Sequence, residues 1–465
     1  MLRKVITSDK HYIDACLVED ISVVCVNKET KKNKSMPFKV MYDNNNLFWL
    51  RNETYEYYLS NEDITKLQER LAKFNSQWGP SVIIKSDRPA MPEVVNNTDD
   101  SGWGKGHADF ALLTENERME RMKACKDRLD ALIAQKPRQE QLITEALVET
   151  TRDVVLHNHA AIMNAMNLSE EKAKEQTKNM VESTRDLVKM SSQLISTNIF
   201  NDDLMNTLVS KSNGTIIQHM TRTYLEGLAF LTYYNNLVSS SSIIKKLRIA
   251  FNEKYLSFYQ SLLPHVHPED ITLEKVFLGG MRAIPAITFY DWATGFLLHD
   301  IGKAAAVEYH EGELSYNHDI VMEHVKVGYT AIMNKTNYAE DTGLITGYHH
   351  EYYGDPSGYG FFRIGLEQYK KQNPHARQDF CIAYDVKPMK EYAALGYFPA
   401  KLLEIIDVFD ALTDPNRKYR KALTRKEAFV MMREEFINKH QKIDLILFDL
   451  FSKFANETSS AGGET

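Results

Sequence analysis

The stretch "FLLHDIGK" carries an apolar helical run straight into His299 and Asp300, with Lys303 three residues after the aspartate. A histidine and a carboxylate at the end of an apolar segment suit either a helix terminus or a metal site. Other parts of the chain favour the second. "MEHVKVGY" supplies His324, "GYHHEYYGDPSGYG" the adjacent His349 and His350, and the apolar "KLLEIIDVFDALTD" Asp407 and Asp410. Neutral imidazoles and carboxylates are the usual ligands of iron, manganese or zinc at hydrolytic centres. Two cations about 3.5–4 Å apart need, in addition, a carboxylate able to bridge them. Water between two divalent ions loses much of its pKa and becomes hydroxide near neutral pH, a nucleophile for in-line attack on a phosphodiester. The cations then stabilise charge on the phosphoryl oxygens. Helices that face one another are a normal frame for such a set.

In order, H-D-x-G-K (His299 to Lys303), H-x-x-x-G (His324 to Gly328), H-H-E followed by S-G-Y-G, and D-V-F-D-A-L-T resemble the motifs of the HD-GYP phosphodiesterases. "DPNRKYRKALTRKEA" is similar to the R-P-Y-R-x-A segment of that family through Arg417, Tyr419 and Arg420. The family opens with H-x-x-R on a helix, and "TIIQHMTRTYLEGLAF" offers His219 and Arg222. His265 and His267 lie in the proline-bounded "LPHVHPED", a poorer setting for a ligand. The resemblance spans roughly residues 205–440.

The resemblance implies a mainly α fold whose C-terminal part is an HD-type helical bundle. It implies two divalent cations, iron or manganese. His219, His299, Asp300 and Asp407 would hold one, and His324, His349 and His350 the other, with Asp300 bridging; its carboxylate has two oxygens to face two ions. Lys303, about one helical turn after Asp300, would meet a substrate phosphate as a point charge, or else simply favour a helix C-terminus. Arg417 and Arg420 are candidate phosphate or guanine contacts, or solvated basic residues after a helix. Tyr359 lines the pocket or stabilises its turn. Glu351 and Asp410 are expected to orient ligands rather than bind the cations. The substrate implied is cyclic di-GMP, opened to the linear dinucleotide or onward to GMP. The alternatives are an HD-superfamily phosphohydrolase acting on another cyclic dinucleotide or nucleotide, and a catalytically inactive cyclic-dinucleotide receptor.

The sequence also departs from the family. The glutamate that binds a third metal is replaced by Thr215, which points to two cations. The proline of G-Y-P is Gly360, and extra residues lie between the His219 and His299 segments and within 361–400. His310, His318, His375 and His440 match no family position and are read as surface residues. Asp99, Ser101 and Gly104 match part of the cyclic-dinucleotide-binding PilZ pattern, but its preceding R-x-x-x-R is missing.

These residues must be placed by the elements around them. "DISVVCV", "PFKVMY", "LFWLR" and "YEYYL" predict strands in a small β-rich domain over 1–75, possessing turns at "NKETKKNKS" and "DNNN". "NEDITKLQERLAKF" predicts a closing helix capped by Asn61 or Asp63. Residues 76–112 read as a linker and 451–465 as a disordered tail. Apolar spacings of three and four over 113–204 predict helices that either connect and dimerise or pack on their own domain. The catalytic region is expected over 205–450.

Composition narrows the function classes. Over 465 residues the net charge is −7, so no global basic field argues for a DNA or RNA polymer as partner. Cys16, Cys25, Cys125 and Cys381 form no C-x-x-C pair, which argues against a disulfide framework and for a reducing compartment. No signal-peptide core opens the sequence and no apolar run is long enough for a membrane span. The expectation is a cytoplasmic enzyme, a homodimer through the helices that precede its catalytic region.

Overall fold

The computed structural model describes residues 2–4, 22–27, 33–37 and 55–60, and those from 113 to 460 apart from 137, 197–215, 241, 265, 307–317, 354–381, 388–393, 395 and 416–420. The chain divides into two compact units, Met1–Asn97 and Thr98–Thr465.

In the first unit β1 (Leu2–Lys4), β2 (Ser22–Asn27), β3 (Asn33–Pro37) and β4 (Tyr55–Ser60) form an antiparallel sheet in the order β1-β4-β2-β3. Val24 pairs with Ser35 on one side and Tyr58 on the other. β3 begins inside "NKETKKNKS", where the residue pattern predicts a turn. Its position explains this: β3 lies at a sheet edge, where polar residues such as Asn33, Lys34 and Ser35 are tolerated. The expected strand at "LFWLR", the closing helix and the 76–112 linker lie outside the described residues.

The second unit is mainly α. It begins with α1 (Glu115–Ala134), α2 (Glu140–Ala165), α3 (Glu170–Gln176) and α4 (Lys178–Ser196). The Thr114–Glu117 capping box starts α1. At Thr177, between α3 and α4, the hydroxyl donates to Ala173 O and Lys335 O, each at 2.9 Å. These four helices pack within the unit. Asn158 Nδ2 on α2 donates to Thr184 Oγ1 on α4 at 2.8 Å, and the Tyr338 hydroxyl donates to Asn158 Oδ1 at 2.6 Å.

Next come α5 (Ile216–Ser239), α6 (Ser242–Ala250), a π-helical stretch Phe251–Tyr255, α7 (Leu256–Leu262) and α8 (Leu273–Val276). α9 (Ala286–Leu298), α10 (Ile301–Ala306), α11 (His318–Lys335) and α12 (Glu340–Tyr348) follow. A short parallel pair, β5 (Ile382–Ala383) and β6 (Gly396–Tyr397), leads into α13 (Phe398–Thr413). α14 (Arg425–Met431), the π-helical Met432–Lys439 and α15 (Leu445–Ser460) complete the bundle.

α5 is buried along most of its length and packs against α9 and α13. An aromatic cluster joins the end of α5 to the middle of α9 and the start of α13. Tyr384 stacks on Phe398 at 4.2 Å between ring centres, and Trp292 lies 5.6 Å from Phe398. The Tyr234 and Tyr384 hydroxyls meet at 2.7 Å. Each fully buried ring contributes about 1.5–3 kcal/mol, so α5, α9 and α13 are fixed relative to one another well away from the polar residues at their other ends. Among the described residues no helix is long and apolar enough to cross a membrane.

Candidate metal centre

Five elements bring polar side chains to one buried point. α5 gives His219 and Arg222, the end of α9 gives His299 and Asp300, α11 gives His324, the end of α12 gives His349 and His350, and α13 gives Asp407 and Asp410. All of them are buried.

Two of the histidines are aimed by the same local device. His299 and His349 are the C-cap residues of α9 and α12. Each turns Nδ1 back onto a carbonyl three residues earlier, Phe296 O and Thr346 O, at 2.9 Å in both cases. A carbonyl only accepts, so Nδ1 carries the proton and Nε2 presents its lone pair to the centre. The unsatisfied carbonyls of a helix end thus fix the tautomer of each ring.

His219 is oriented by charge instead. Its Nδ1 lies 2.7 Å from Asp410 Oδ2, and its Nε2 faces Asp407 Oδ1 at 3.0 Å and Asp300 Oδ2 at 3.3 Å. Arg222, one turn along α5, holds Asp410 with Nε at 2.6 Å and Nη2 at 2.9 Å, and reaches Asp414 Oδ2 at 2.8 Å. This bidentate fork is the strong form of a carboxylate contact. Burial raises the Asp410 carboxyl, but Arg222 and the His219 ring outweigh it and hold the group well below the usual range.

Asp300 stands at the middle. Its Oδ1 lies 3.1 Å from His324 Nε2 and 3.8 Å from His349 Nε2. Its Oδ2 lies 3.3 Å from His219 Nε2 and 3.6 Å from His299 Nε2, and also accepts from the Lys303 ammonium. The two oxygens therefore face two different sets of imidazoles. Asp407 spans the same divide, with Oδ1 on His219 and Oδ2 3.8 Å from His350 Nδ1.

Backbone contact makes this possible. A Cβ on Gly302 would lie 1.9 Å from His324 O and 2.6 Å from Gly328 N, so α10 and α11 touch main chain to main chain. The glycines of H-D-x-G-K and H-x-x-x-G are what allow His324 to reach Asp300.

The residues fit divalent cations. Ligand atoms of Asp300, His324, His349 and His350 lie within 4.8 Å of one another, and so do those of His219, His299 and Asp300. Nε2 atoms converge at 3.2 Å between His299 and His219 and at 3.4 Å between His324 and His349. Burial pushes His299 down to about 3, and also lowers His324 and His350, so these rings are neutral and their lone pairs are available. Burial works against a proton on His219 too, but Asp300, Asp407 and Asp410 outweigh it and raise the ring to about 10. The surrounding carboxylates demand a positive charge there, which a cation supplies in place of the proton.

All the candidate ligands, His219, His299, Asp300, His324, His349, His350 and Asp407, are thus brought together, with Asp410 behind His219. Glu351 is buried directly after the histidine pair. Lys303 is turned onto Asp300 and is 23% exposed. His267 and His440 are exposed. Tyr359, Gly360, Arg417 and Arg420 lie outside the described residues, as do Thr215, His265, His310 and His375. The sequence reading missed Asp414, Lys401 and Glu404. Lys401, Glu404, Asp407 and Asp410 follow at steps of three along a largely apolar helix, a spacing that makes each the neighbour of the next and is visible in the sequence.

No protein-family model matches the sequence, and no curated protein matches it. Among solved structures the chain is similar to Bd1817, a HDG"Y"P protein from Bdellovibrio bacteriovorus, over 98% of this chain and 99% of that one, at 10% identity and a TM-score of 0.38. At those values the motifs and the buried cluster are the grounds for the family resemblance.

Proposed function

We propose that the chain is a metal-dependent phosphodiesterase that hydrolyses a cyclic dinucleotide, cyclic di-GMP first among them. The observation that carries this reading is the division of the Asp300 oxygens between two sets of buried imidazoles. A single cation would not call for a carboxylate shared in this way. His219, His299, Asp300 and Asp407 would hold one ion, and His324, His349 and His350 the other, with iron or manganese suiting the donors. When bound, such a pair supplies an activated water and stabilises charge on the phosphoryl group.

The chain's own residues do the rest. Arg222 and Asp410 hold the His219 ring, the Phe296 and Thr346 carbonyls hold His299 and His349, and burial keeps bulk water from the ligand atoms. Lys303, which contacts Asp300, would exchange that contact for a substrate phosphate oxygen. Hydrolysis adds water across one P–O bond, and the freed ribose oxygen takes the proton to give the linear dinucleotide. Arg417, Arg420 and Tyr359 complete the substrate contacts in this proposal. The H-H-E, G-Y-G and R-K-Y-R segments support a cyclic dinucleotide over a simple nucleotide. A cytoplasmic location, a homodimer through α1–α4 and a regulatory role for residues 1–75 belong to the same proposal.

The test is a product assay with iron- and manganese-loaded protein against cyclic di-GMP, mixed cyclic dinucleotides and mononucleotides. Linear dinucleotide or GMP from cyclic di-GMP is the expected result. Bound metal with no turnover of any of these would favour the receptor reading, which Thr215 and Gly360 support.

A further inference from the structure

Lys401 is a lysine where a helix seldom keeps one. Its side chain is 1% exposed, inside a helix whose neighbours are Leu402, Leu403, Ile405 and Ile406. Burying an ammonium is costly unless its donors are met, and an apolar residue of similar volume often serves stability as well or better. Here the donors are met. Nζ donates to Glu404 Oε2 at 2.8 Å and to the main-chain carbonyl of Glu351, and it sits 3.8 Å from the centre of the Tyr353 ring.

The carbonyl contact matters most. Glu351 directly follows His349 and His350, and Lys401 lies two helical steps of three before Asp407. One buried cation therefore joins the histidine turn to the helix that carries the aspartate. The Tyr353 main-chain N–H donates to Lys442 O at 3.0 Å, which pins the far end of the same turn. Asp407 and His350 approach at 3.8 Å across this junction. Glu404 does not need Lys401 as a counter-ion alone. Burial pushes its carboxyl up to about 8 even beside the ammonium, and Oε1 has no hydrogen-bond partner among the described residues.

We propose that Lys401 is a positioning residue: its buried ammonium clamps the backbone of the His349–His350 turn to the Asp407 helix and so sets the distance between the two halves of the centre. This rests on the reading of the cluster as a metal site. It goes beyond it in assigning the spacing of the ligands to a residue that touches no ligand atom.

The test separates this role from charge balance. Lys401→Met strands both partners of the ammonium, whereas Lys401→Met with Glu404→Leu removes the buried carboxylate and restores an apolar match. Cobalt(II) titration followed by visible absorption reads the imidazole sites in the wild type and the double variant. The expected result is a double variant with wild-type far-UV circular dichroism, one cobalt site weakened about 10–100-fold and an altered visible band. Both sites unchanged in affinity and band would make Lys401 a charge partner of Glu404 and overturn the proposal. If the wild type takes up no cobalt, the metal reading fails, and amide exchange in the metal-free protein decides the clamp. Exchange at 349–353 at least about tenfold faster in the double variant, with Ile216–Ser239 unchanged, supports it; unchanged exchange at 349–353 overturns it.

Discussion

Two parts of the helical unit bury histidine, and they do it differently. His157 on α2 is 1% exposed, and neither ring nitrogen has a hydrogen-bond partner among the described residues. His299 is 0% exposed, yet it donates to Phe296 O and points Nε2 at His219 and Asp300. Burial pushes both rings down, to about 4 in His157, where Arg118 adds to the effect, and to about 3 in His299. The depressed pKa is therefore common to both and does not mark the site. Fixed tautomers, converging lone pairs and a carboxylate divided between two sets of rings mark it.

That contrast can be broken at several points. Gly302→Ala carries the largest effect. The added methyl falls inside the His324 main chain, so α10 and α11 must separate. Urea unfolding should show a loss of about 1–3 kcal/mol, and metal analysis the loss of the cation on the His324 side. An unchanged unfolding midpoint would mean that the helices do not need this contact. Asp410→Asn is a smaller change, confined to the other side. It weakens the hold of Arg222 and His219 without altering size. One manganese should bind about 10–100-fold more weakly by calorimetry, while the other keeps its affinity; equal weakening of both would show that the halves are not separately held.

His157→Leu is the smallest change for the site and sharpens the comparison most. The folded state holds His157 neutral down to about pH 4, while the unfolded ring takes its proton near pH 6.5. The unfolded state thus binds more protons between these values. The stability tied to His157 is complete above about pH 6.5 and is lost as pH falls toward 4, by about 3 kcal/mol over the window. Leucine should flatten that part of the stability–pH curve and leave metal content alone. A curve of unchanged slope would contradict the buried, partnerless setting of the ring.

Much of the centre was legible in the residues because each motif binds chemistry to a local turn. H-D-x-G-K joins a C-cap histidine, the divided carboxylate and the glycine of the helix contact in five consecutive positions. His219 was legible only through its H-x-x-R spacing to Arg222, which resembles the family's opening motif; the Asp410 carboxylate that both side chains hold is seen only in the structure. Lys401 was passed over because a lysine on a helix is ordinarily solvated, and only the packing of the Glu351 turn on α13 reveals its burial. The start of β3 was misread because edge pairing, not hydrophobic pattern, makes a strand of Asn33–Pro37. At the break between α3 and α4 Thr177 meets Lys335 O, far along the chain, a contact that no local pattern announces.

The central claim is that one carboxylate joins two cation sites. The direct measurement is metal content after anaerobic preparation with iron and manganese, in the wild type and in Asp300→Ala side by side. Two equivalents in the wild type and none in a variant with intact helical circular dichroism is the predicted outcome. An Asp300→Ala protein that keeps both equivalents, or a wild type that holds none, would contradict it.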